Sequence, residues 1–245
     1  MKLFNLDSPF MQGLGKLADL MILNIITLIC CLPVVTIGAS ITALYYMALK
    51  IVRNEEVYII KGFLKAFRQN LKQSTIVWLI QIVVMIILAM DAYLIFWNPD
   101  MKMPMAFQIV MMVGAILIIA LFMFIYPVMS KFENSLKQTF KNAFLMSIMQ
   151  MPKIFLMAVF WLTPLAIAIF AIQFLPLSVL FGFSLPAYGS ALLYNKFFKK
   201  MENTMIERAK AAGEAVADPG EEDEHIFSDE LDPALADKAE VQPKA

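Results

Sequence analysis

Apolar residues run along this chain in long uncharged stretches rather than in short alternating or half-turn patterns. Four such stretches stand between charges: Leu20–Leu49, Gln73–Met90, Met103–Ser130 and Ile154–Asn195. The second continues past Asp91 to Trp97. A helix needs about 20 apolar residues to cross a hydrocarbon core of ~30 Å, so each stretch predicts at least one crossing. The fourth holds 42 residues, about 63 Å as one helix at ~1.5 Å per residue. It must fold back, and Gln173-Phe-Leu-Pro176 is the predicted turn. The first holds 30 residues, long for one upright crossing and short for two. Pro33 and Gly38 interrupt it, so a single kinked, tilted span is expected, with a re-entrant hairpin as the alternative. The predicted fold is all-α: a polytopic transmembrane bundle of about five spans.

Between these stretches the polar positions are patterned too. Lys61, Lys65, Arg68 and Lys72 fall on one helical stripe, with Ile60, Phe63, Phe67 and Leu71 on another. Asn54 is placed to cap that helix, and Glu55 and Glu56 suit its positive end. After the third stretch, Ser130-Lys-Phe-Glu133 fits a capping box, followed by an apolar stripe of Phe132, Leu136, Phe140 and Phe144 beside Lys137 and Lys141. Two amphipathic helices lying in the headgroup layer are expected, lysines among anionic lipids. Leu64-Lys-Ala-Phe-Arg-Gln-Asn70 also resembles Leu136-Lys-Gln-Thr-Phe-Lys-Asn142, about 72 positions on. Two parallel hairpin units plus a fifth helix are therefore expected over residues 1–200.

Composition agrees. Of 245 residues, 60% are hydrophobic and 16% charged, and mean hydropathy is +0.71. That excess of apolar surface needs lipid as its solvent. The net charge of zero is a cancellation. Residues 1–200 carry 16 Lys and Arg against 7 Asp and Glu, whereas residues 201–245 carry 4 against 13. The acidic tail, with Asp218-Pro-Gly220 and Glu221-Glu-Asp-Glu224, lacks apolar content for a core and is expected to be disordered. Basic loops stay in the cytoplasm, which with five spans puts the N-terminus outside and the C-terminus inside.

Candidate chemistry is sparse. No phosphate-binding glycine loop, zinc-protease motif or nucleophile elbow is present, so no catalytic residue, cofactor or metal is predicted, and the chain is not expected to be an enzyme. Cys30 and Cys31 are adjacent filler, and His225 stands alone among carboxylates. Asp91 lies on the outward half of its predicted span, and Asp19 and Asn24 lie in the outward part of the first, at a similar depth. They form the candidate intramembrane polar site, as a proton or cation relay or a substrate contact. Small residues around Gly38–Ala43 and Gly182–Ser190 are expected to let helices approach closely. Pro33 and Pro186 would open backbone carbonyls within the bundle.

Several residue blocks carry a resemblance. Asp7-Ser-Pro9, Leu17-Ala-Asp19, Leu32-Pro-Val-Val-Thr-Ile-Gly-Ala-Ser-Ile-Thr-Ala-Leu-Tyr-Tyr46, Lys65-Ala-Phe67 and Asn70-Leu-Lys-Gln73 are similar to the YesL family of bacterial membrane proteins. That family is the grouping called domain of unknown function 624. Tyr126-Pro127, Phe132-Glu-Asn134, Leu136-Lys137 and Lys141-Asn142 resemble its second half. The resemblance implies a small protein of the bacterial cytoplasmic membrane, often encoded beside sugar-uptake ABC transporters, and it carries no known activity. The expected function is a non-enzymatic accessory or assembly factor linked to carbohydrate uptake. The alternative is a small oligomeric permease. Expected partners are the lipid bilayer and a carbohydrate ABC transporter or a second copy of the chain; nucleic acid is not expected.

Overall fold

The computed structural model describes residues 9–55, 58–97, 104–132, 135–170 and 172–211. These form eight α-helices joined by short turns, with no strand among the described residues. The helices are α1 (Pro9–Cys31), α2 (Ile37–Arg53), α3 (Ile59–Trp97), α4 (Met105–Lys131), α5 (Leu136–Met149), α6 (Met151–Phe170), α7 (Leu175–Phe181) and α8 (Ser184–Ala211). The chain divides into two compact units, Met1–Lys196 and Phe197–Ala245. The described part of the second is the remainder of α8. The tail beyond Ala211 lies outside the described residues.

Four segments are long and apolar enough to cross a membrane: Phe10–Cys31, Val34–Arg53, Ile59–Ile95 and Met105–Lys131. The pair Leu136–Met149 and Met151–Ile167, bent by 99°, raises the count to five. Four, or five with that pair, agrees with the expected figure of about five, but the partition differs. The first apolar stretch is two helices rather than one kinked span, and α1 begins at Pro9, eleven residues before the first expected apolar position. Pro33 has no N–H and its ring crowds the preceding turn, so the helical ladder stops at Cys31. The carbonyls left over are collected by Thr36, whose hydroxyl lies 2.7 Å from Cys30 O and 2.8 Å from Pro33 O. A 3-10 turn, Val34–Thr36, then leads into α2.

α2 is the core of the first unit. Ala39, Ala43, Leu44, Met47 and Ala48 are fully buried. Its most extensive neighbours are α1, α3 and α4. Lipid tails are as apolar as leucine, so close packing and interhelical hydrogen bonds, not water exclusion, hold such an interface. Thr42 and Ser74 hydroxyls meet at 2.9 Å across α2 and α3, and Thr75 donates to Val35 O at 3.4 Å.

Residues 59–72 are not a separate helix in the membrane plane: they are the first turns of α3, which runs 39 residues, about 58 Å, without a break. Nor is its packed face Ile60, Phe63, Phe67 and Leu71. Ile60 and Leu71 are exposed, and the buried line is Ile59, Phe63, Ala66, Ser74 and Val77. Asn54 does not start that helix either. It ends α2, at φ 57° in the left-handed region that asparagine tolerates, with its N–H returned to Ile51 O at 3.2 Å. Likewise Ser130 sits inside α4 and donates to Pro127 O, so it is no capping box for α5, whose N-cap is Ser135. Glu133 lies outside the described residues. In α5 the buried face is Thr139, Ala143, Met146 and Ser147, while the expected stripe residue Phe144 is exposed.

Phe63 is fully buried and stacks on Phe67, with ring centroids 6.3 Å apart. Phe63→Asp is therefore expected to destabilise by about 3–5 kcal/mol, from lost packing plus a buried charge. Phe67→Asp should cost less and Lys65→Gln almost nothing. Thermal melts of the detergent-solubilised protein check the order; a silent Phe63→Asp would show that this face is not packed.

The predicted reversal near Gln173 falls where α6 has ended and a 3-10 turn, Ile172–Phe174, leads into α7. A second break, at Gly182 and Phe183, separates α7 from α8.

Candidate functional site

Of the three candidate polar residues, the structure seals one inside the fold and gives another a cavity. Asn24 is fully buried on α1. Its Nδ2 donates to Val179 O at 2.6 Å, and its Oδ1 accepts from Phe183 N at 2.8 Å and Ser184 N at 2.9 Å. The break between α7 and α8 leaves backbone N–H groups without helical partners. Asn24 caps them from about 160 positions away, which turns a polar residue expected to contact substrate into a structural clamp. Asp19 lies one turn earlier on α1, half-buried.

Asp91 is elsewhere. It is half-buried on α3 and lines a cavity of about 290 Å³ between α3 and α4 with Leu88, Ile95, Met105, Gln108 and Met112. No residue of α1 lines that cavity. The expected meeting of Asp91, Asp19 and Asn24 does not occur.

Other buried polar groups pair across helices. Trp161 Nε1 donates to the Tyr45 hydroxyl at 2.8 Å, and the Tyr45 ring lies 6.2 Å from Trp161 and 6.3 Å from Tyr194. The Tyr126 hydroxyl donates to Gln81 Oε1. Gln73 Nε2 reaches Thr139 Oγ1 at 3.3 Å, joining α3 to α5. At the end of α2, Arg53 Nε donates to Asn195 Oδ1 at 3.0 Å, and Lys50 Nζ lies 3.8 Å from Glu55 Oε2 and over the Tyr46 ring. Arginine and lysine in a last helical turn also face the negative end of the dipole. Sequence reading passed over this set because tyrosine and tryptophan in an apolar run look like filler. The available signal was their polar tip, which needs a partner when buried.

A second cavity, about 310 Å³, opens between α6, α7 and α8, walled by Phe160, Pro164, Ile167, Phe181 and Leu185. Gly189 sits on it because an added Cβ would come 3.0 Å from the Phe160 ring. The small residues here pack, as expected of them. Among the described residues no group of three His, Cys, Asp or Glu side chains is placed to hold a metal ion.

Residues 20–92 match a family model described as "Protein of unknown function, DUF624". The match takes in the Leu32–Tyr46, Lys65–Phe67 and Asn70–Gln73 blocks that carry the resemblance noted above. No curated protein and no solved structure matches the chain.

Proposed function

We propose that this chain is a non-enzymatic accessory or assembly factor of the bacterial cytoplasmic membrane that docks on a carbohydrate ABC transporter. The observation that carries the reading is where the polar groups go. Asn24, Thr42, Ser74, Gln73, Tyr45 and Trp161 are bonded to protein partners inside the bundle. The two cavities are walled almost wholly by apolar side chains. A sugar crossing the membrane needs hydrogen-bonding groups to replace its water, and the six named here are already bonded within the chain. The transporter as partner rests on the family resemblance alone. The permease reading draws on a different feature, the broken α7–α8 pair, since discontinuous helices line the sites of several transporter folds.

Affinity purification with crosslinking separates the two. A stoichiometric transporter subunit supports the accessory role; a homo-oligomer that moves sugar in reconstituted vesicles sinks it.

Orientation belongs to the same proposal. With α1 and α2 both crossing, and α7 with the start of α8 forming a last broken crossing, six passages leave both termini in the cytoplasm beside the basic loops. The exposed Lys137 and Lys141, with Phe144 and Leu145 and the 99° bend into α6, suit α5 to the headgroup layer. Single cysteines at Asn5 and at Ser228, in a background without Cys30 and Cys31, are expected to be shielded from an impermeant reagent in intact cells. Labelling at Asn5 alone would return the first stretch to a single crossing.

A further inference from the structure

The far ends of α3 and α4 form a two-helix arm whose described side chains are left unburied. Among the described side chains from Trp78 to Ile119, none is buried. Ile86, Met90 and Tyr93 of α3 and Phe107, Val110 and Val113 of α4 are all exposed. Lipid satisfies such side chains, but it does not satisfy Asp91. This carboxylate is the sole Asp, Glu, Lys or Arg among described residues 73–97 and 104–130. No hydrogen bond or ion pair to it is formed among the described residues. A carboxylate at such a place is costly unless paired.

The cavity it lines is otherwise almost wholly apolar. Leu88, Ile95, Met105 and Met112 give it apolar walls, and Asp91 and Gln108 are the polar side chains in its lining. Apolar walls with an anion and an amide in the lining suit a long aliphatic stem tipped by a cation. We propose that the α3–α4 cavity receives a lysine or arginine side chain from a transmembrane helix of a partner protein, with Asp91 as its counter-ion. Resting on the accessory role argued above, this assigns the docking face and the chemistry of the residue that enters it. A second copy of the chain is the poorer occupant, because the described residues of the arm hold no cation to match its own Asp91.

The test places a photoreactive residue at Val113 in the full-length protein, in native membranes. The expected adduct is with another membrane protein, at a peptide inside a span that carries Lys or Arg. Asp91→Leu and Asp91→Lys should reduce it by about tenfold or more, while Asp91→Glu retains it. Asp91→Lys should regain the adduct when the partner's basic residue is changed to Asp. The proposal is overturned by an adduct that survives Asp91→Leu, by a crosslinked span without a basic residue, or by adducts only with lipid or a second copy. It is also overturned if Lys102→Gln, without Asp91 changed, removes the adduct equally, since Asp91 would then be paired within the chain. A partner that co-purifies equally with wild type and Asp91→Leu leaves the accessory role standing and removes only this site. Loss of every partner together with vesicle transport removes both.

Discussion

Asn24→Leu is expected to lower stability by about 2–5 kcal/mol, the largest loss from any single polar residue described in this protein. Leucine has a similar volume, so the packing term is small. The loss comes from stranding Phe183 N, Ser184 N and Val179 O, three groups that Asn24 now satisfies. A stranded buried backbone group costs about 1–3 kcal/mol, and an interhelical bond in lipid about 0.6–2 kcal/mol. Because all three sit at one helix break, the effect is local before it is global. Hydrogen exchange at the Phe183 and Ser184 amides should accelerate at temperatures where α2 and α3 remain protected. Asn24→Asp separates the contributions. It keeps both acceptor bonds, but it donates to Val179 O only while protonated, so its stability should fall as pH rises. Unchanged exchange at Phe183 in Asn24→Leu would mean that α8 starts without help from α1.

Gly38→Leu is expected to prevent α2 from seating on α3. A Cβ at Gly38 would lie 2.5 Å from Ser74 O and 2.8 Å from Trp78 Cβ. One obstacle is backbone, so the helices must separate, and the Thr42–Ser74 hydroxyl contact one turn away opens with them. Even Gly38→Ala should cost about 1–3 kcal/mol, the usual penalty of forcing atoms into a packed interface. Gly114→Ala is the matched control. It is also a helix glycine, but a Cβ there meets nothing within 4 Å. Alanine's better helix propensity should leave it neutral or up to about 1 kcal/mol more stable. Melting of both variants in detergent checks the contrast. Equal behaviour at the two glycines would mean that α2 and α3 are not held at this distance.

Much of the architecture was legible one residue at a time. Charges bracket the apolar runs because a helix in lipid tolerates few, so the membrane-crossing stretches could be marked off from the sequence. Pro33 marked an interruption, and the length of residues 154–195 demanded a reversal near Gln173. The match over residues 20–92 takes in the Leu32–Tyr46, Lys65–Phe67 and Asn70–Gln73 blocks, while those at 7–19 and 126–142 lie outside it. Asn24 was recognisable as a polar residue needing a partner, although its partner was not.

Which face of each helix is packed was decided only by tertiary structure. In water an apolar stripe points inward, so Ile60, Phe63, Phe67 and Leu71 read as a buried face. Where lipid replaces water on the outside, apolar side chains are accepted on every side and lose that meaning. The packed line on α3 instead includes Ala66 and Ser74, which allow close approach and hydrogen bonding. Asn54 suits either a helix start or a left-handed helix end, and the position of α2 chose the second. The two related loops also diverged. Residues 59–72 run straight into their span, whereas α5 and α6 meet at 99° around Gln150, just before Pro152. A proline restricts the chain behind it but sets no angle. That angle, like the clamp from Asn24 to Phe183, depends on contacts between segments far apart in the chain, and no local pattern encodes them.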